Sequence, residues 1–195
     1  MKIALVLMAS GAGRRFGANK LLQTVDGLPL VRRVMAACPP ELFAPALVVS
    51  RYPEILSLAE ELGYTPIFNS GADEGISATV RLGTAAAQAA GADGALFAVA
   101  DQPWITRASV ERVMAAFSSH PDTIPALGWQ GKKGNPCLFP REFFPELSAL
   151  TGDTGGGAVI KAHRDRLRLV EAGDPAELLD VDTPADLGHS GGAAP

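Results

Sequence analysis

Apolar runs of strand length alternate with amphipathic helical patterns along most of this chain, and that alternation constrains its fold more than any other feature. Ile3–Met8, Ala46–Ser50, Thr65–Asn69 and the apolar Ala95–Ala100 read as strands. Between them Pro29–Ala37, Pro53–Leu62 and Ser77–Ala90 read as helices, the first ended by Cys38-Pro39-Pro40, the second by Gly63, the third capped by Ser77. Further on, Ser109–Ser118 reads as a helix capped at its first residue. Ile124–Trp129 and Pro136–Phe139 read as strands around a turn at Gln130–Asn135, Ala158–Arg164 starts another helix, and Arg168–Val170 and Leu178–Val181 end the ordered part. This rhythm predicts a three-layer, Rossmann-like α/β fold with a mostly parallel sheet. Such sheets take their ligands outside the carboxyl ends of the strands, so the residues that follow each strand become the candidates for chemistry.

A chain of 195 residues is long enough to bury a real core, and no repeat or linker divides it. The expectation is one domain over residues 1–187 and a loose glycine-rich tail over 188–195. The formal net charge of −4 argues against a broad nucleic-acid surface. Cys38 and Cys137 are far apart and lack C-x-x-C spacing, which argues against a disulfide framework or zinc site and for a reducing compartment. The run Ile3–Ala9 is too short for a secretory signal and leads into arginines instead of a cleavage site. No run reaches membrane-spanning length, so the expected location is cytoplasmic, with no membrane partner.

The end of the first strand carries the densest signal. Ala9-Ser10-Gly11-Ala12-Gly13 opens the backbone to close approach, and Arg14, Arg15 and Lys20 follow at once. Backbone N–H groups in such a turn can point at an anion. Small residues and clustered cations together describe a phosphate cradle. The spacing is neither G-x-G-x-x-G nor the Walker pattern, and Arg51 stands after the second strand where a dinucleotide fold wants an acid. A nicotinamide cofactor is therefore supported only through a 2′-phosphate on Arg51.

Two carboxylate sites lie elsewhere in the chain. Asp101 follows a buried strand, where a carboxylate is costly unless paired, and Mg²⁺ is a natural partner because it favours one or two carboxylates plus substrate phosphates. Asp180 and Asp182 fall on one side of an extended segment, as joint metal binding requires. Three further segments offer anion or nucleoside contacts: the helix entry Glu74–Arg81, the flexible Gly152–Gly157, and Lys132-Lys133-Gly134-Asn135-Pro136. His120, His163 and His189 lack metal-ligand spacing and read as surface residues, and no nucleophile triad is suggested.

These segments resemble, in order, the motifs of the nucleotidyltransferases that act on the molybdenum cofactor. Leu7-x-Ala9-Ser10-Gly11-x-Gly13-x-Arg15-x-Gly17-x-Asn19-Lys20-Leu21-Leu22 is similar to their L-A-A-G-x-S-x-R-M-G-x-x-K-L-L. Gly75-Ile76-Ser77-Ala78-Thr79-Val80-Arg81 resembles G-[MI]-S-x-S-[LIV]-R, and Asp101-Gln102-Pro103-Trp104-Ile105-Thr106 resembles D-[MQ]-P-x-[VI]-T. Gly134-Asn135-Pro136-x-Leu138-Phe139, Gly152-Asp153-x-Gly155 and Asp180-Val181-Asp182-Thr183-Pro184-x-Asp186-Leu187 resemble G-x-P-x-L-F, G-D-x-G and D-[IV]-D-T-P-E-D-L. The likeness spans residues 5 to 187. The chain departs from the pattern at Ser10-Gly11, at Thr79 in place of serine and at Gln102, often methionine in the family.

The resemblance implies a fold of the nucleotide-diphospho-sugar transferase or glycosyltransferase-A type and transfer of a nucleoside monophosphate to a phosphate with Mg²⁺. Ala9 and the aspartates at 180 and 182 resemble the cytidylyl branch, since the guanylyl branch usually reads L-A-G-G and N-x-N-T-P. The implied reaction moves CMP from CTP to the phosphate of molybdopterin and releases pyrophosphate, with a molybdoenzyme as recipient. GTP as donor, a sugar phosphate as acceptor, and a non-catalytic accessory protein are the alternatives. By this likeness Lys20, Arg15 and Asp101 are catalytic. Ala9, Ser10, Gly11, Gly13, Asn69 and Ser77 join them in holding the nucleotide. Arg81, Lys132, Asn135, Asp153 and Gly155 hold the acceptor, and Asp101 and Asp182 hold the metal, with Asp180 beside them.

Overall fold

The computed structural model describes residues 1–11 and 19–188. Its centre is a seven-stranded sheet in the order β5-β4-β1-β6-β8-β7-β9. The strands are β1 (Ile3–Met8), β4 (Ala46–Ser50), β5 (Thr65–Phe68), β6 (Gly94–Val99), β7 (Ile124–Trp129), β8 (Lys132–Pro140) and β9 (Leu167–Glu171). A small hairpin of β2 (Thr24–Val25) and β3 (Leu28–Pro29) stands apart. β5, β4, β1 and β6 pair in parallel, β8 runs antiparallel between β6 and β7, and β9 returns parallel to β7. The expected three-layer, mostly parallel α/β architecture is therefore present, with one reversed strand.

The helices are α1 (Leu30–Ala37), α2 (Pro53–Glu61), α3 (Ile76–Ala89), α4 (Arg107–Ser119), α5 (Phe144–Ser148) and α6 (Gly157–Ala162). Each strand sends alternate side chains to opposite faces. Leu5, Leu7 and Leu96 join a core with α1, α2 and α4, while Ala4, Val6 and Phe97 join a second core with α3, α5 and α6. Burial on both faces explains why the inner strands read as unbroken apolar runs. α1 buries Leu30, Val31, Val34 and Met35, the spacing of a single helical face. α3 comes so close to β1 that a Cβ at Gly83 would fall onto the Val6 side chain.

Several boundaries differ from expectation, each for a local reason. The turn between β7 and β8 shrinks to Gln130-Gly131, both with positive φ (48° and 79°), so β8 starts at Lys132 and not Pro136. α4 begins two residues before Ser109, because Thr106 is its cap and accepts from the Ser109 N–H. α3 takes Gly75 as its N-cap, so Ser77 lies inside the helix. Leu178–Val181 forms no strand: a single turn, Pro175–Leu178, leads into an extended connection. Gly188, expected in the tail, closes the last turn, Pro184–Gly188.

Candidate active site

β1 and β6 are neighbours, and the residues after their carboxyl ends meet. Asn19 caps the short turn Lys20–Leu22 by accepting from the Leu21 N–H, which turns the Lys20 side chain inward. Its ammonium lies 2.8 Å from Asp101 Oδ2, 3.4 Å from Asp182 Oδ1 and 3.0 Å from the Val181 carbonyl. Lys20 is only 8% exposed, so its charge survives through these three oxygens. Burial alone would lower its pKa; the carboxylates of Asp101 and Asp182 outweigh it and the net shift is upward.

The segment that delivers Asp182 is tied to β6 at several points. The Val181 N–H donates to the Asp101 carbonyl, and Gln102 Nε2 donates to the Leu178 carbonyl and, at 2.9 Å, to Asp180 Oδ1. Asp186 fixes the following turn by accepting from the Asp182 and Thr183 N–H groups. Asp180 and Asp182 thus share a locality but not a partner, because the segment is not the regular strand that alternation assumes. Burial, then the nearby Asp101 carboxylate, raise the Asp180 pKa.

Glu177 is a residue that sequence reasoning missed. It is 2% exposed and accepts from the Thr106 N–H and hydroxyl on one oxygen and from the Gly173 and Asp174 N–H groups on the other. It binds the start of α4 to the segment that leads to Asp180 and Asp182. Its only sequence signal was its place after Asp174-Pro175, where it completes a capping box.

On the other side of β1, the turn after the strand is clamped by β4. Ser50 Oγ donates to the Ala9 carbonyl, Tyr52 Oη donates to the Gly11 carbonyl, and Ser10 Oγ donates to the Val49 carbonyl. Asn69, expected to meet the nucleoside, is 1% exposed. Its amide donates to Ser10 Oγ and Thr79 Oγ1 and accepts from the Gly71 N–H, so it positions Ser10 instead. Gly13 and Arg15, with Arg14 and Gly17 of the expected cradle, lie outside the described residues.

The entry of α3 is covered and not open. Ile76 and Ser77 donate their N–H groups to Asp153 Oδ1 and the Gly152 carbonyl. Gly75 has φ of 105°, and a Cβ there would stand 2.5 Å from the Gly152 oxygen. Ser77 is fully buried, and its hydroxyl accepts from Arg81. Arg81 also donates to the Leu150 carbonyl and pairs with Glu74 at 2.6 Å. Asp153, Ser77 and Arg81 thus lock the 150–153 loop onto α3.

A cavity of about 130 Å³ opens beside the carboxyl ends of β1 and β6. Met8, Val80, Phe97, Val99 and Phe139 make its apolar wall, and Lys133, Asn135, Cys137 and Gly155 its more polar part. Lys133, Asn135, Cys137 and Phe139 are alternate residues of β8 and face the cavity together, which puts Lys132 on the other side. Lys133, and not the expected Lys132, lines this cavity. Lys133 Nζ donates to the Gly134 carbonyl and lies 3.7 Å from Cys137 Sγ, whose thiol burial pushes up.

The oxygen-only set around Lys20 suits a hard divalent cation, since two carboxylates and a carbonyl already converge on one positive charge. Among the described residues no group of three or more His, Cys, Asp or Glu is arranged to hold a metal alone. Remaining ligands would come from phosphate oxygens and water.

The α/β sheet with one reversed strand thus carries a lysine-bridged carboxylate pair at its carboxyl edge and a cavity at the carboxyl ends of β1 and β6. The chain matches the model of the MobA-like NTP transferase domain over residues 5–167 and belongs to that family. It is 30% identical over 193 residues to the purine catabolism protein PucB of Bacillus subtilis, covering 93% of this chain and 92% of that one. It is 32% identical over 120 residues to a molybdenum cofactor guanylyltransferase of Rhodobacter capsulatus, covering 62% of each. The crystal structure of Rv0371c from Mycobacterium tuberculosis has the same fold, with a TM-score of 0.80 at 23% identity over 95% of both chains. No helix among the described residues is long and apolar enough to cross a membrane.

Proposed function

We propose that this chain transfers CMP from CTP to the terminal phosphate of molybdopterin and releases pyrophosphate. The observation that carries the reading is the convergence of Lys20, Asp101 and Asp182 at the carboxyl edge of the sheet, with Asp180 held beside them by Gln102. Ala9 with aspartates at both 180 and 182 is the combination that resembles the cytidylyl branch.

An acceptor phosphate oxygen attacks the α-phosphorus in line, a new P–O bond forms, and the bond to the β-phosphate breaks. A phosphate monoester carries about −1.5 to −2 charge near neutral pH, so the nucleophile arrives ionised and no strong base is needed. The protein's work is positioning and charge neutralisation. The backbone of Ser10 to Gly13, with Arg15 and Lys20, holds the triphosphate. Ser50, Tyr52 and Asn69 hold Ala9, Gly11 and Ser10 in place. Asp101 and Asp182 would hold Mg²⁺, which when bound neutralises charge on the triphosphate and on the departing pyrophosphate. Lys133, Asn135 and Gly155 face the acceptor, and Arg81 and Asp153 fix the 150–153 loop that leads into Gly155.

Pyrophosphate release measured with each of the four NTPs, with and without molybdopterin, tests the reading. Release with CTP that depends on molybdopterin is expected. The named guanylyltransferase relative supports GTP as donor at the same site, and release with GTP alone would favour it. Release that requires a sugar phosphate would move the acceptor, and no release with any pair would leave a binding protein.

A further inference from the structure

Lys20 stands where a cation between Asp101 and Asp182 would stand, and we propose that its ammonium is a tethered stand-in that keeps free divalent metal out until a nucleotide triphosphate arrives. The inference deepens the preceding reading and rests on it only in taking the site to serve a metal-bound nucleotide.

Three oxygens converge on Lys20 Nζ, at 2.8 Å, 3.0 Å and 3.4 Å, and two of them carry charge. Two carboxylates left together without a cation would repel each other, and Asp101, the more buried of the two, would lose the charge that offsets its desolvation, while Asp182 keeps much of its water. Lys20 supplies that charge in the nucleotide-free protein. A divalent ion entering alone would have to displace a buried ammonium that then has nowhere comparable to go, or sit beside a positive charge at contact distance. Either cost weakens its binding.

A triphosphate changes both costs at once. Lysine is a point charge on a flexible four-carbon stem, so its ammonium can swing to a new anion without moving the backbone. Phosphate oxygens at the β1 turn offer it partners as strong as the carboxylates it leaves. The vacated carboxylates then accept the ion that the nucleotide brings. The arrangement makes the metal·NTP complex the entering species and couples nucleotide and metal affinities in both directions.

Mn²⁺ alone serves as the probe, its affinity for the nucleotide-free full-length protein read from the EPR signal of the unbound ion. Lys20→Met should bind Mn²⁺ at least about tenfold more tightly than wild type, and Lys20→Arg should match wild type. Equal or weaker binding by Lys20→Met overturns the proposal. A measurement on wild type covers the case in which Lys20→Met does not fold. The Lys20 ammonium ¹⁵N resonance, assigned by its loss in Lys20→Arg, should stay in place with saturating Mg²⁺ alone and shift when CTP or GTP is added with it. A shift with Mg²⁺ alone overturns the proposal as well. Neither measurement depends on which base or acceptor is used, so a failed CMP-transfer assay with intact coupling removes the proposed substrates and leaves this inference standing.

Discussion

Lys20 and Asp180 show how much two residues of one cluster can differ in what their charges cost. Lys20 has lost nearly all contact with water but gained two carboxylates, and its upward shift keeps it protonated well past neutral pH. Its stabilising contribution is present below the ordinary lysine value and is lost only as pH climbs through the higher folded one. Lys20→Ala should lower the rate of pyrophosphate release at least about tenfold, roughly 1.4 kcal/mol of barrier; turnover at the wild-type rate would remove it from the chemistry. Asp180 is shifted upward too, but for a carboxyl that means the ionised form is disfavoured in the fold. Folding then binds its proton more tightly than the unfolded chain does, so stability falls as pH rises from the ordinary carboxylate value through the raised one. Asp180→Asn should therefore melt higher than wild type at pH 7, with the gap closing below the ordinary carboxylate range; a constant gap would trace the effect to shape. The charged residues of this cluster were legible in the sequence because an ionised group after a buried strand demands a partner. The engagement of Asn69, Ser77 and Arg81 was not, because which group satisfies a buried amide, hydroxyl or guanidinium is decided by elements far apart in the chain.

The elements deliver the site through junctions that no local pattern announces. α3 begins normally, but its first N–H groups are met by the loop at 152–153, and only a glycine at 75 lets that backbone approach. The boundary at Ser77 differs from expectation for this reason: a serine near an apolar run looks like a cap, while the N-cap is Gly75 and the first N–H groups are met by a distant segment. Glu177 is the corresponding junction on the side of Asp101 and Asp182. Its two oxygens accept four hydrogen bonds from the start of α4 and from the 173–174 backbone. Glu177→Gln preserves shape but turns an amide N–H₂ toward donors that need an acceptor, at a cost of about 1–3 kcal/mol. Urea unfolding should show that loss, and Mn²⁺ affinity in the presence of nucleotide should fall with it, because the same contacts place Asp182. A loss of stability with metal affinity unchanged would make Glu177 a fold residue alone.

Across the whole molecule, the alternation of apolar runs with helical patterns made the layers and the parallel majority of the sheet legible, since burial on both faces leaves a clear mark on β1, β4 and β6. Strand order was not legible, nor was the reversal of β8. The turn expected over Gln130–Asn135 closes in two residues, because Gln130 as well as Gly131 takes positive φ. That reversal threads β8 between β6 and β7 and brings alternate residues of one strand to the cavity at the carboxyl ends of β1 and β6. Strand period 2 then separates two adjacent lysines completely. Lys133 lines the cavity with Asn135 and Phe139, while Lys132 is carried to the opposite side. An ammonium at the cavity wall can meet an anionic ligand. Lys133→Ala should raise the KM for the acceptor by about tenfold, near 1.4 kcal/mol, and leave the KM for the triphosphate within about twofold. Lys132→Ala should leave both unchanged. Steady-state kinetics with each substrate varied in turn separates the two lysines. An effect of Lys132 on acceptor KM equal to that of Lys133 would mean that the acceptor approaches from the other face of β8.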